Sequence, residues 1–476
     1  MDAKPNPNIR CRMAPSPTGP LHLGTARTTL TNWLFARANG GNFVMRIEDT
    51  DTERSKPEFE KDIIDGLRRL GLDWDEGPDV GGPYGPYRQS ERLDLYEKYL
   101  KILLEKGSAY YCYCTKEELD AERTKQEAAK QAPRYSGRCR TAPPTGREPQ
   151  VIRFKTPEER LAFNDMIRGR IEFDLALSGD IVIAKNTRSP LYNFAVVVDD
   201  SEMKISHIIR GEEHIANTPK QIAMQRALGF ETPKYAHLPL ILNPDRSKLS
   251  KRFVETSMSN YFDLGFLSTA LMNFIALLGW HPKDDREILM PDDLIKEFKI
   301  ERVQKAGAIF NEEKLEWLNA EHIKLMPDQK LLELLRPFLA QAGVEAGDTP
   351  LLKLIEIEKT RMKTLRDFSA NTDFFFAAPE YKPDLLIWKD TPRPQIKTNF
   401  EAIIQVLGSL PEHEFTRTGL ETALKALTDD LGRGEVLWPL RVALSGKKAS
   451  PGPFEILWVM GKDEALRRVK AAIKAL

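Results

Sequence analysis

Cysteine and histidine are scarce in this chain, at four and seven of 476 residues. Four cysteines in so long a sequence cannot build a disulfide framework, so a reducing compartment, the cytoplasm, is the expected setting. Charge of one sign is missing too, because 70 Lys and Arg balance 70 Asp and Glu. Overall charge therefore gives no general attraction to nucleic acid, and an RNA partner would need a local basic face. The longest apolar run, near Leu271 to Trp280, is too short to span a bilayer, and MDAKPNPNIRCR lacks the apolar core of a signal peptide. Neither export nor membrane insertion is expected. There is no internal repeat and no long low-complexity tract, which leaves a chain with apolar surface for about two to four domains.

What is present alternates. Phe43-Val44-Met45-Arg46-Ile47 follows Gly40-Gly41 and reads as a strand running into Glu48-Asp49, while Phe59, Ile63, Leu67 and Leu70 share one helical face. Ser55 with Glu58 three residues on predicts a capping box for that helix, with Pro57 in its first turn, where a missing N–H costs nothing. Leu93, Tyr96, Leu100 and Leu103 make a second helical stripe. Alternation of this kind predicts an α/β fold with a parallel sheet and crossover helices. Polar, irregular sequence from Cys112 to about Pro149 interrupts it, and strands are expected again over 179–183, Leu191 to Val198, Lys204 to Arg210 and His237 to Leu242. An inserted subdomain accounts for the gap. From about 331 onward Leu, Ala, Lys and Glu recur at helical spacing, which predicts a separate all-α region.

Two short stretches carry chemistry. In MAPSPTGPLHLGTART, residues 13 to 28, prolines 15, 17 and 20 stiffen a loop, Gly19 permits a turn, and a helix begins near His22 to Thr25. The free N–H groups at such a helix start favour an anion, Gly24 allows close approach to the backbone, and His22 can donate to a phosphate. A cap or a packed side chain is the ordinary alternative for a histidine at that position. Far downstream, Asn243-Pro-Asp-Arg-Ser-Lys-Leu-Ser-Lys-Arg252 is a turn followed by Lys248, Ser250, Lys251 and Arg252, a dense set of phosphate-binding groups.

Together, His22-Leu-Gly-Thr25 and Lys248-Leu-Ser-Lys251 resemble the two signatures of class I aminoacyl-tRNA synthetases. Within that class, Pro15-Ser-Pro-Thr-Gly19, Arg46-Ile-Glu-Asp-Thr-Asp51, Tyr87-Arg-Gln-Ser-Glu-Arg92 and Tyr192-Asn-Phe-Ala-Val-Val-Val-Asp-Asp200 look like the bacterial-type glutamyl branch, and the resemblance runs essentially end to end. Thr25 stands where the general pattern has a second histidine and Arg252 where it has a final serine; the glutamyl branch commonly carries both.

The resemblance implies a Rossmann-like parallel-sheet catalytic domain split as 1–100 and 191–255. An acceptor-end-binding insert is expected over 101–190, a stem-contact helical domain over 256–330 and helical anticodon-binding domains over 331–476. It implies that L-glutamate and ATP form glutamyl-adenylate, with Mg2+ on the phosphates, and that the acyl group passes to the 3′ end of tRNA(Glu), with tRNA(Gln) a further possible acceptor. Such chemistry depends on positioning and charge stabilisation. His22, Gly24, Thr25, Lys248 and Lys251 are the implied catalytic residues, and Ser250 and Arg252 join His22, Gly24, Lys248 and Lys251 around ATP. By motif position Arg12 and Arg210 match the carboxylate-binding arginines, Glu48 and Ser16 face the amino end, and Tyr192 and Asn193 line the pocket. Glutamine in place of glutamate would leave a buried arginine without its counter-charge, at a cost on the order of 3 kcal/mol, or roughly a hundredfold in specificity. Arg46, Glu48 and Asp49 are also near enough in sequence to be a local ion-pair network.

Cys112-Tyr-Cys114 and Tyr135-Ser-Gly-Arg-Cys139 flank a helix capped by Thr115 and Glu118. They read either as a zinc site, with Tyr135 the fourth ligand as in some relatives, or as a small packed module of reduced thiols. Arg361-Met-Lys-Thr-Leu-Arg366 and Trp438-Pro-Leu-Arg441 to Lys448 are basic segments in the region expected to read the anticodon, with Arg361 the candidate discriminating contact. Each is equally a solvated helix face. A monomer is expected. The other readings are a shortened relative that modifies a tRNA base, against which the residues beyond 331 argue, a glutaminyl-tRNA synthetase, and a non-catalytic tRNA-binding paralogue. The Arg12 and Arg210 pair favours glutamate over glutamine, and intact phosphate-binding groups favour an enzyme.

Overall fold

The computed structural model describes residues 6, 8–249 and 257–476. It forms two compact units, Met1–Asp263 with Ser268–Leu315, and Leu264–Leu267 with Glu316–Leu476. Among the described residues no helix is long and apolar enough to cross a membrane.

The first unit is built on a six-stranded sheet in the order Asn42–Met45, Arg10–Met13, His207–Gly211, Lys234–Leu238, Arg160–Asp165, Gly169–Asp174. The first five strands are parallel and the sixth closes a hairpin at the edge. All four residues of Arg10–Met13 are buried, as expected of a parallel strand covered on both faces. Helix Leu23–Ala38 leads from it back to Asn42–Met45. Gly41 makes that return possible, because a Cβ there would sit 2.5 Å from the Ile9 carbonyl oxygen. The consequence for function is that the loops after Met13, Met45, Gly211 and Leu238 leave the same, carboxyl-terminal edge of the sheet, where open α/β sheets bind ligands.

The strand expected over Leu191 to Val198 is instead the helix Tyr192–Glu202. A run of valines favours a strand, but Phe194, Ala195, Val196, Val197 and Val198 are all buried, so the segment is packed on every side and tertiary burial overrides propensity. The expected strand His237 to Leu242 is two pieces, Lys234–Leu238 and Ile241–Leu242, because Pro239 cannot donate to the ladder. The Ser55 cap also fails. Helix Pro57–Arg69 is capped at Lys56 without a side-chain bond, and Pro57 takes the first turn as expected. Thr115 and Glu118 do form their capping box. In the inserted stretch the strands Ala109–Cys112, Val151–Phe154, Val182–Asn186 and Ser189–Pro190 make a four-stranded antiparallel sheet.

The second unit is helical, with Phe400, Ile403, Leu407, Leu420, Leu440 and Val469 in its core. Arg468 ties its last helix to the rest of the unit. It is 4% exposed; Nη1 donates to the carbonyls of Phe374 at 2.6 Å and Leu444 at 2.7 Å, and Nε to Glu464 at 2.6 Å. Arg468→Met strands those acceptors in an apolar setting and should lower stability by about 3 kcal/mol. Equilibrium urea unfolding checks this, and a midpoint equal to that of the wild type contradicts it.

Candidate functional site

A cleft of about 690 Å3 opens at the carboxyl-terminal edge of the sheet. Its walls bring together residues far apart in sequence: Arg12, Ser16, His22, Gly24 and Thr25 from the N-terminal motif, Glu48, then Tyr192, Arg210 and Lys248. Asn193 does not line it, and instead accepts a hydrogen bond from Gln221 at 3.0 Å. Ser250, Lys251 and Arg252 lie outside the described residues.

His22 is the N-cap of helix Leu23–Ala38, with Nδ1 accepting from the Thr25 N–H at 3.3 Å and Nε2 2.9 Å from the Thr25 hydroxyl. An accepting Nδ1 leaves the proton of the neutral ring on Nε2, where the Thr25 hydroxyl accepts it. Gly24 leaves room for this pose, since a Cβ there would lie 3.2 Å from His22 Nδ1 and press the ring aside by a few tenths of an ångström. Lys248 is presented by a turn in which the Asn243 amide donates to the Ser247 hydroxyl at 2.9 Å and the Lys248 carbonyl at 3.1 Å.

The floor beneath Glu48 is a buried ion network. Arg46, fully buried, reaches Glu48 at 3.0 Å and Asp200 at 2.7 Å; Arg12 pairs with Asp200 at 3.1 Å; Arg92 pairs with Asp199 at 2.6 Å. Tyr96 and Gln89 complete the shell of Asp199. Burial opposes the Arg46 charge, but Asp200, Asp199 and Glu48 outweigh it and hold its pKa well above the usual value. Asp200 stays below the ordinary carboxylate range because Arg12 and Arg46 outweigh its burial, whereas for Glu48 burial wins and pushes the pKa up. Three arginines thus face three carboxylates.

Arg210 stands apart from that balance. Its Nη2 donates to Thr218 Oγ1 and Gln221 Oε1, each at 2.8 Å, and its Nε to His237 Nε2 at 3.3 Å. All three partners are neutral groups; burial, chiefly, keeps the His237 pKa below its usual value. Nη1 is buried without a partner among the described residues. A guanidinium held this way, 5% exposed and facing no carboxylate directly among the described residues, has the chemistry to pair with one supplied by a ligand. Sequence reading assigned no role to Asp199, Asp200, Thr218, Gln221 or His237. The Asp-Asp pair inside a quoted motif was the available signal, since two adjacent acids on an otherwise apolar segment must be neutralised if the segment is buried.

The chain matches the family of class I tRNA synthetases (E and Q), catalytic domain, over residues 8–317, and an anticodon-binding domain family over residues 330–473. Among curated relatives, a glutamate–tRNA ligase of Symbiobacterium thermophilum is 42% identical over 97% of this chain and 99% of its own length. Another, glutamate–tRNA ligase 1 of Caldicellulosiruptor saccharolyticus, is 44% identical over 97% of this chain and 98% of its own. A crystal structure of a glutamate tRNA ligase from Elizabethkingia meningosepticum in complex with its amino acid superposes with a TM-score of 0.89 at 37% identity, covering 98% of this chain and all of that one. The chain belongs to the glutamate–tRNA ligase family of class I tRNA synthetases.

Away from the cleft, Cys112, Cys114 and Cys139 converge, their sulfurs all within 4.8 Å of one another. Tyr135 Oη lies 3.5 Å from the sulfurs of both Cys112 and Cys114. A tetrahedral zinc with Zn–O about 2.0 Å and Zn–S about 2.3 Å sets oxygen and sulfur about 3.5 Å apart, so the donor set fits that ion. Burial raises the Cys112 thiol, but hydrogen bonding with Tyr135 and with the Cys114 backbone, aided by Arg153, brings it down to about 7. Arg138 Nε also donates to Cys114 Sγ at 3.1 Å, but burial outweighs this and holds the Cys114 thiol above its usual value. A zinc site, as against a packed module of reduced thiols, predicts about one zinc per chain in protein purified without chelator and its loss in Cys139→Ser. Metal analysis giving below about a tenth of a zinc per chain contradicts the assignment.

Proposed function

We propose that this protein activates L-glutamate with ATP and transfers it to the 3′ end of tRNA(Glu). The observation that carries the reading is Arg210, a buried cation without a carboxylate partner, in the same cleft as the His22 helix start. A substrate carboxylate supplies the missing charge. Arg12, whose Nε and Nη2 are turned to Asp200, then serves the other carboxylate end of the substrate with less selectivity, while Glu48 and Ser16 take the ammonium group. Tyr192, held by His214 at 3.1 Å, closes the side of the pocket, with Asn193 supporting it through Gln221.

In the first step an α-carboxylate oxygen attacks the α-phosphorus of ATP, the bond to the bridging oxygen breaks, and pyrophosphate leaves. In the second, a terminal ribose hydroxyl of the tRNA attacks the acyl carbon and AMP leaves. The chain's part is positioning. His22, Thr25 and the N–H groups at the helix start hold phosphate oxygens, with Gly24 allowing their approach. Lys248 and Lys251, with Ser250 and Arg252 beside them, balance charge on the departing pyrophosphate. Mg2+ bound to the phosphates would add Lewis-acid stabilisation. Zinc at Cys112, Cys114, Tyr135 and Cys139 would staple the insert without entering the chemistry. Residues 101–190 take the acceptor end, 256–330 the stem and 331–476 the anticodon, with Arg361 a reading contact. Transfer to tRNA(Gln) as well depends on those anticodon contacts.

Exchange of pyrophosphate into ATP tests the reading. It should require glutamate, and tRNA should be needed with it; no exchange under any condition would favour the non-catalytic paralogue. Lys251→Ala should slow activation by at least about tenfold with little loss of tRNA binding. An unchanged rate would remove the lysine from the mechanism.

A further inference from the structure

Arg210 is only as selective as its orientation is fixed, and what fixes its inner edge is a chain of two residues from the hairpin side of the sheet. His237 Nε2 accepts from Arg210 Nε at 3.3 Å and lies 3.0 Å from the Thr218 hydroxyl, which also reaches the His214 carbonyl at 3.1 Å, and His237 Nδ1 lies 2.7 Å from Asp165 Oδ2. Both residues are buried, His237 at 0% and Asp165 at 4% exposure. The other oxygen, Asp165 Oδ1, accepts from the backbone N–H groups of Ile167 at 3.0 Å, Arg168 at 2.9 Å and His237 at 3.4 Å. An ionised carboxylate only accepts and a guanidinium only donates, so each neighbour dictates one nitrogen of the ring.

We propose that Asp165 and His237 are positioning residues for Arg210: the carboxylate fixes the imidazole as its Nδ1–H tautomer, so that Nε2 offers a lone pair to Arg210 Nε–H and leaves Nη1 for the substrate carboxylate. The inference rests on the reading of Arg210 given above. It explains why a carboxylate is buried two residues from the glutamate pocket without pairing with the arginine itself: direct pairing would neutralise the charge that selects the substrate, whereas pairing through a neutral ring orients the guanidinium and leaves its charge in place.

The three backbone donors make Asp165→Asn an informative test. They hold the amide oxygen at the Oδ1 position and so turn the NH2 toward His237 Nδ1, which must then accept. The ring proton moves to Nε2, where the Thr218 hydroxyl can accept it, and Arg210 Nε is left without its acceptor while the Nη2 contacts to Thr218 and Gln221 remain. In tRNA charging by the full chain, Asp165→Asn should raise KM for glutamate about tenfold and change KM for ATP by less than about twofold. No rise, or an equal rise in both KM values, overturns the inference. Should the variant fold poorly, 15N spectra of histidine-labelled wild-type protein still decide: His237 should carry its proton on Nδ1, and an Nε2–H form or an imidazolium at neutral pH overturns the inference. Arg210→Ala separates the two levels. If it raises KM for glutamate and Asp165→Asn does not, the positioning role alone fails; if Arg210→Ala itself has no effect, the reading of the pocket fails and the inference with it.

Discussion

The site depends on an imbalance of buried charge. Beneath the cleft Arg12, Arg46 and Arg92 face Glu48, Asp199 and Asp200, so the floor is close to neutral and rigid. Arg210, a few residues away on the central strand His207–Gly211, has only neutral partners. Leaving a buried cation uncompensated costs stability in the empty protein, and that cost is offset when a ligand brings a carboxylate. In the proposed reading, selectivity for an acid over its amide needs no steric distinction, since the amide brings the shape but not the charge.

Sheet topology is what places the two halves of the substrate side by side. The N-terminal motif leaves one parallel strand and Arg210 lies on its neighbour, so the helix start that suits phosphates and the guanidinium that suits a carboxylate open into one cleft. A reaction joining a carboxylate to a phosphorus needs that proximity more than it needs an acid or base. His22 caps the helix through Nδ1 and engages the Thr25 hydroxyl through Nε2, so the two motif residues are fixed together at the helix start.

Much of this was legible in the sequence because the motifs are local. The Pro-rich loop, the helix start at His22 and the capping box at Thr115 are each written within a few residues, and local steric rules decide them. The valine run after Tyr192 was misread because a helix buried on all faces carries no period to distinguish it from a buried strand. The cap at Ser55 failed although its spacing was right, because the helix begins at Pro57 with Lys56 before it. The supports of Arg210 were not legible at all. Asp165 and His237 are brought to Arg210 by strand pairing across longer separations, Thr218 and Gln221 by the helix Thr218–Leu228, and none sits in a motif that announces a role.

The most direct test of the charge argument is the ratio of kcat/KM for glutamate over glutamine in tRNA charging, compared between wild type and Arg210→Met. The account predicts a preference of roughly a hundredfold or more in the wild type and its collapse in the variant. An Arg210→Met enzyme that keeps the full preference would mean that the acid is recognised elsewhere and that the uncompensated guanidinium is not what selects it.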